Sequence, residues 1–174
     1  MARVRYDPVM TEADSFPLQG GCTCRAVRYS LMTSPLFVHC CHCTWCQRES
    51  GAAFALNAMI ESDRVSLTQG RPCAVDTPSR SGKGQSIFRC TACQVALWSH
   101  YAGAGKAIAF VRVGTLDEPW HLAPDVHIFT TTKQPWVVLD PATPAVPEYY
   151  DRKRFWPQTS LERRRVQLEK SPPT

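Results

Sequence analysis

Hydrophobic and polar residues alternate with period two along much of this chain. Val27, Tyr29 and Leu31 interleave with Arg28, Ser30 and Met32, and Phe54, Leu56, Ala58 and Ile60 with Ala53, Ala55, Asn57 and Met59. Successive strand side chains point to opposite faces, so this period predicts strands with one buried face. Shorter candidate strands cover 36–39, 64–68, 86–89, 95–98, 107–113 and 126–130. Turn residues separate them at Glu61-Ser62-Asp63, Gly70-Arg71-Pro72, Ser81-Gly82-Lys83-Gly84 and Gly103-Ala104-Gly105. Many short strands with close turns predict a mainly β, compact antiparallel domain. No internal repeat is seen beyond the cysteine pairs.

The ends of the chain read differently. Residues 1–15 read as an N-terminal arm, 16–145 as the β domain and 146–174 as a Pro-rich, basic C-terminal extension. Pro141, Pro144, Pro147 and Pro157 disfavour strands there. One short helix is expected near 160–170, with Thr159 and Glu162 as a capping box and Leu161 and Leu168 on one face. The run Arg163-Arg164-Arg165, flanked by Glu162 and Glu169, reads as a solvated face rather than a nucleic-acid patch.

Composition narrows the class. A hydrophobic fraction of 44% supports a packed core, and 20 Lys plus Arg against 15 Asp plus Glu give only +5. The opening residues lack the apolar run of a signal peptide, and no stretch approaches the roughly 20 apolar residues of a membrane helix. A cytoplasmic protein is therefore expected. In a reducing compartment nine cysteines are expected as thiols or metal ligands rather than disulfides.

Seven of the nine cysteines cluster. Cys22 and Cys24 form C-x-C, Cys41, Cys43 and Cys46 form C-x-C-x-x-C, and Cys90 and Cys93 form C-x-x-C. The two pairs together make a closed four-thiolate set that would clip the start of the domain to its middle. Three thiolates leave a coordination position open for water or substrate, as in catalytic zinc sites. A thiol bound there would lose its proton and become a nucleophile or a held leaving group. The alternative is a second structural metal completed by Cys40, His39 or His42. Cys40 and His42 are poor fourth ligands, because strand neighbours point oppositely. Cys40 and Cys73 read as inert thiols, and His100, His121 and His127 as structural histidines, His127 with a hydrogen-bond partner on a strand.

These motifs, in this order, resemble those of the glutathione-dependent formaldehyde-activating enzymes, whose domain is shared with the centromere protein V group. Gly20-Gly21-Cys22-Thr23-Cys24-Arg25-Ala26-Val27-Arg28-Tyr29 is similar to the opening motif. Cys41 through Gln47, followed by Gly51-Ala52, resembles the second, and Phe88-Arg89-Cys90-Thr91-Ala92-Cys93 the third. His127-Ile128 and Lys133-Gln134-Pro135-Trp136 resemble the later part. The resemblance implies an Mss4-like β domain and two zinc ions, a structural one on Cys22, Cys24, Cys90 and Cys93 and a catalytic one on Cys41, Cys43 and Cys46. It implies a carbon–sulfur lyase that interconverts glutathione plus formaldehyde with S-hydroxymethylglutathione. Arg48 and Lys133 are candidates to meet the carboxylates of glutathione, and Trp45 or Trp136 to cover the site. Gln94 stands where the family usually has Gly, which predicts a differently turned third motif, since Gln resists positive φ. The competing expectation is a non-catalytic zinc scaffold that binds protein or nucleic acid, with the basic tail contributing. Oligomeric state is not readable from the sequence.

Overall fold

A computed structural model describes residues 16–170; the arm expected at residues 1–15 lies outside them. All eight expected strands are present: β2 (Arg28–Leu31), β3 (Phe37–Cys41), β4 (Ala55–Glu61), β5 (Val65–Gln69), β7 (Gln85–Arg89), β8 (Ala96–Tyr101), β9 (Ile108–Arg112) and β10 (Val126–Ile128). Two more strands carry no apolar alternation. Strand β1 (Leu18–Gly21) ends in two glycines, and β6 (Cys73–Thr77) is a largely exposed edge. The strands form a three-stranded sheet, β1-β2-β5, and a seven-stranded sheet, β10-β3-β4-β9-β8-β7-β6. Pairing is antiparallel except for β10, which runs parallel to β3.

Two adjoining cores fill the domain. Val27, Tyr29, Leu31, Ala58, Ile60, Leu97 and Val111 pack in the first, with Cys22 and Cys90 among them. The second holds Leu36, Phe37, Met59, Ile108, Val126 and Ile128, with Cys41 and Cys43. Strand β3 is buried along its whole length, so the triplet begins on a fully enclosed strand of the larger sheet. At Gly70, with φ +66°, a Cβ would come within 2.0 Å of the Ala26 carbonyl oxygen, so this turn between β5 and β6 admits only glycine.

Among the described residues the chain after β10 forms no further strand but folds back onto the domain. The His127 N–H donates to the Pro144 carbonyl, and the Val146 N–H to the His127 carbonyl. Helices α2 (Arg152–Phe155) and α3 (Gln158–Lys170) follow. Trp156 stacks on Phe37 at 5.6 Å, and its indole N–H donates to the Tyr150 hydroxyl at 3.0 Å. Leu161 and Leu168 both pack on the second core, as expected for one face.

Two local expectations are corrected here. Helix α3 begins at Gln158, so Thr159 lies inside the first turn and does not cap it; Glu162 instead accepts from Arg165 at 2.6 Å. The triple arginine is not a common solvated face. Arg163 reaches back to the buried carboxylate of Glu61 through two bonds, of 2.8 and 2.7 Å, and also donates to the Ser34 carbonyl. Only Arg165 is exposed, paired with Glu162 and Glu169.

Candidate metal centres and the cavity beside them

The two outer cysteine pairs meet although 66 residues separate Cys24 from Cys90. Their sulfurs lie 3.7 Å apart, and Cys22 and Cys24 are 3.5 Å apart. Four sulfurs about 2.3 Å from a tetrahedral zinc are about 3.8 Å from one another, so these edges have the size of a zinc site. A disulfide would bring two sulfurs to about 2.05 Å, and all nine cysteines are free. All four sulfurs of this cluster lie within 4.8 Å of one another. The cluster joins the loop after β1 to the loop between β7 and β8, and thereby bolts the small sheet to the large one.

Each pair sits in a tight knuckle. The Cys22 N–H donates to the Val27 carbonyl and the Cys90 N–H to the Val95 carbonyl. The residue after the second cysteine is left-handed in both, Arg25 at φ 63° and Gln94 at φ 62°. The third motif therefore turns in the left-handed sense despite the missing glycine, contrary to the expectation from Gln94. Its side-chain amide donates to the Thr91 carbonyl at 3.0 Å, and its own N–H to the Cys90 carbonyl. A left-handed L-residue costs roughly 1–2 kcal/mol, and glycine loses roughly 0.5–1 kcal/mol in chain entropy. Gln94→Gly is accordingly expected to stabilise the fold by about 0.5 kcal/mol. A thermal melt at constant metal content would show it as a higher midpoint; a lower one would mean that the amide bond to Thr91 outweighs the strain.

The triplet is built by a strand end and a helix start. Cys41 closes β3, and Cys43 is the N-cap of α1 (Thr44–Ser50), its sulfur accepting from the Cys46 N–H at 3.3 Å. Cys46 follows one turn into the helix, so all three sulfurs face one point within 4.8 Å of one another. Gly51, at φ 66°, terminates the helix by donating to the Gln47 carbonyl at 2.8 Å. Helix α1 was not foreseen from periodicity, because it buries no residue and so shows no apolar stripe. The Gly51 C-cap was its one legible signal. Gln47 secures the loop, donating to the His42 carbonyl at 2.6 Å and the Thr132 carbonyl at 2.9 Å.

Without a cation these thiols cannot all ionise. Contacts from Cys41 and then Cys46 stabilise the Cys43 thiolate and depress its pKa. Contacts with Cys43 and Cys46, with burial, drive the Cys41 pKa up. A divalent ion would relieve this competition by holding all three as thiolates, and the donor set suits zinc.

His42 points away from the triplet, as its position between two ligands requires. Its Nε2 lies 3.0 Å from His127 Nδ1 and 3.6 Å from Cys40 Sγ. Burial, and then the neighbouring His127, depress the His42 pKa to about 4, so the pair is a neutral hydrogen bond with one proton between two rings. His127, on β10, thus has the expected hydrogen-bond partner, in His42 of the loop after β3, and Cys40 lies on this side of β3 rather than with the triplet. Cys73 belongs to none of the clusters among the described residues.

The three triplet sulfurs line a cavity of about 570 Å³. Met59, Tyr101, Ile108, Phe110, Ile128 and Phe129 give it apolar walls, and Trp45 stands at the metal side. Its cations are Arg80, Lys83, Arg112, Arg152 and Arg164. Neither Arg48 nor Lys133 lines it, and Lys133 spends its ammonium on the carbonyls of Gln134 and Val137. Trp136, 71% exposed, is also absent from its walls. Of the four residues proposed from the sequence to hold or cover a substrate, only Trp45 is there. The actual cations come from distant parts of the chain, and no local pattern marks them.

Arg112 underlies the site. It donates to Asn57, to Glu49 at 3.0 Å and to Ser99 at 3.2 Å, while Glu49 also accepts from Arg89 at 2.6 Å. This network ties α1 to β4, β7, β8 and β9 beneath the triplet; contact with Cys41 and, least, the Arg112 charge lower the Cys46 pKa, but contact with Cys43 and burial outweigh them and push it up to about 12. Breaking a buried pair by removing one partner costs about 3–5 kcal/mol. Arg112→Met is therefore expected to lower stability by about 3 kcal/mol, measured by urea denaturation. A loss below about 1 kcal/mol would show that Arg89 alone satisfies Glu49.

Comparison with protein families agrees with these motifs. The chain matches the family model of the glutathione-dependent formaldehyde-activating enzyme over residues 17–132, two thirds of its length. Among solved structures it is similar to a Rhodobacter sphaeroides protein from the Northeast Structural Genomics effort, with 18% identity and a TM-score of 0.44 over 57% of this chain and 88% of that one. No curated protein matches.

Proposed function

The chain belongs to the glutathione-dependent formaldehyde-activating enzyme family, and from that premise we propose that it interconverts a thiol plus an aldehyde with their S-hydroxyalkyl adduct, glutathione and formaldehyde being the first pair to test. The observation that carries this reading is the triplet itself: three cysteine sulfurs within 4.8 Å of one another, opening on an apolar cavity. Cys41, Cys43 and Cys46 would hold a zinc ion, and Cys22, Cys24, Cys90 and Cys93 a second one. Zinc held by three thiolates supplies a fourth position at which a substrate thiol sheds its proton.

The protein's own residues do the rest. The cavity confines thiol and aldehyde together, which replaces a bimolecular encounter by a local one. The carbon–sulfur bond forms as the carbonyl π bond opens, and the proton lost by the thiol ends on the new hydroxyl oxygen; the reverse reaction breaks the same bond. Met59, Phe110 and Phe129 exclude water from the reacting carbon. Arg112, on the cavity wall and bonded to Glu49, Asn57 and Ser99, slightly favours negative charge at Cys46.

A scaffold for nucleic acid or protein finds less support. Its basic element would be the run 163–165, but Arg163 is committed to Glu61, Arg164 to the cavity and Arg165 to two neighbouring glutamates. No helix among the described residues is long and apolar enough to cross a membrane. A reducing compartment such as the cytoplasm, where nine cysteines would be kept from forming disulfides, is part of this proposal.

Because the adduct also forms unaided, the test is magnetisation-exchange NMR on glutathione, formaldehyde and adduct with catalytic amounts of zinc-loaded protein. The expected result is interconversion faster than in the protein-free mixture. No acceleration by folded, fully metallated protein would reject this substrate pair.

A further inference from the structure

The family match ends at residue 132, yet the cavity wall continues beyond it. Tyr149, Arg152, Trp156 and Arg164 line the same space as the triplet. Their frame is firm. Trp156 is stacked on Phe37, and Arg163, next to Arg164 on α3, is locked to Glu61.

Arg164 is only partly exposed and close enough to Arg152 to feel its charge. Burial first, and Arg152 second, work against the charge on Arg164. Among the described residues neither arginine has a carboxylate partner. Two cations facing one cavity repel each other, more strongly as solvent is withdrawn. The one carboxylate on the cavity wall, Glu49, is already shared by Arg89 and Arg112. The part of the wall formed by Arg152, which is exposed, and Arg164, which is half-buried, thus carries positive charge without a carboxylate partner, next to apolar walls.

We propose that Arg152 and Arg164 form a carboxylate-binding subsite, which makes the C-terminal segment the element that selects acidic thiols. The proposal rests on the reading that the triplet receives the substrate sulfur. The guanidinium fork matches a carboxylate in two parallel hydrogen bonds, and a bound anion removes the repulsion between the two arginines. Neutral or cationic thiols and esterified peptides lack that gain.

S-Methylglutathione separates this subsite from the metal, because its blocked sulfur cannot ionise. Calorimetric titration of the full zinc-loaded chain should show binding, with the dimethyl ester about tenfold weaker. Arg152→Gln/Arg164→Gln should lose about tenfold in affinity at an unchanged melting temperature and zinc content, and Arg164→Lys should retain part of it. In the exchange assay the double variant should raise KM for glutathione more than it lowers kcat, and should reduce the preference for glutathione over cysteamine. Equal binding of acid and ester, or a double variant that binds like the parent, overturns the subsite; the ester comparison decides even if the variant does not fold. Arginine-dependent binding without accelerated exchange would sink the lyase reading and leave the subsite standing. Accelerated exchange indifferent to both arginines would do the reverse.

Discussion

Cys43→Ser is expected to abolish accelerated exchange of glutathione and formaldehyde while leaving a folded protein with one zinc per chain instead of two. The expectation follows from where Cys43 sits. It is the N-cap of α1, and it carries the thiolate that the other two sulfurs support. Two remaining sulfurs make a poor zinc site, so the position offered to a substrate thiol disappears with the metal. The fold should survive, because β3 is paired on both sides and the loop after it is held by Gln47 and Thr132 rather than by the sulfurs alone. Serine also remains a competent N-cap. Zinc content by mass spectrometry, circular dichroism and the exchange rate together test this. Activity surviving in the one-zinc protein would move the chemistry elsewhere; loss of the fold would make the triplet structural.

Cys90→Ser should do the opposite and unfold the domain. Cys90 is fully buried in the first core, and its cluster joins the two sheets. Structural zinc in finger peptides is worth about 10–16 kcal/mol, as much as the whole stability of an ordinary domain, about 5–15 kcal/mol. The variant, or the parent chain stripped by a strong chelator, should lose its cooperative thermal transition. A melt within a few degrees of the zinc-loaded parent would overturn the structural assignment of this cluster. Together the two serine variants separate the metals: one removes chemistry and keeps the fold, the other removes the fold itself.

Much of this is legible in the sequence. Period-two alternation marked two strands and short apolar runs between turn residues the other six, although β3, β4 and β10 are buried on nearly every residue rather than on one face. Helix α1 and strands β1 and β6 went unmarked, because none of them shows the apolar periodicity by which an element is recognised. Gln94 shows a different limit. Its side-chain bond to Thr91 and the closure of the knuckle support a backbone angle that propensity disfavours.

The cysteines were readable because ligands of one metal must be close in space, and short spacing on a strand or turn secures that closeness locally. That order of spacings also sufficed for the family. Pairing 22 and 24 with 90 and 93, and joining two sheets through them, became concrete only when β7 and β8 were placed beside the small sheet. The cations beside the triplet were beyond local reading altogether. Arg80, Arg112, Arg152 and Arg164 line one cavity because the β6–β7 loop, the end of β9, and helices α2 and α3 all border it. Sequence by itself determined eight of the strands, the cysteine clusters and the family, all of which depend on neighbours in the chain. Only the tertiary structure decided what surrounds the metal-side cavity, because charge and apolar surface act through space and not along the chain.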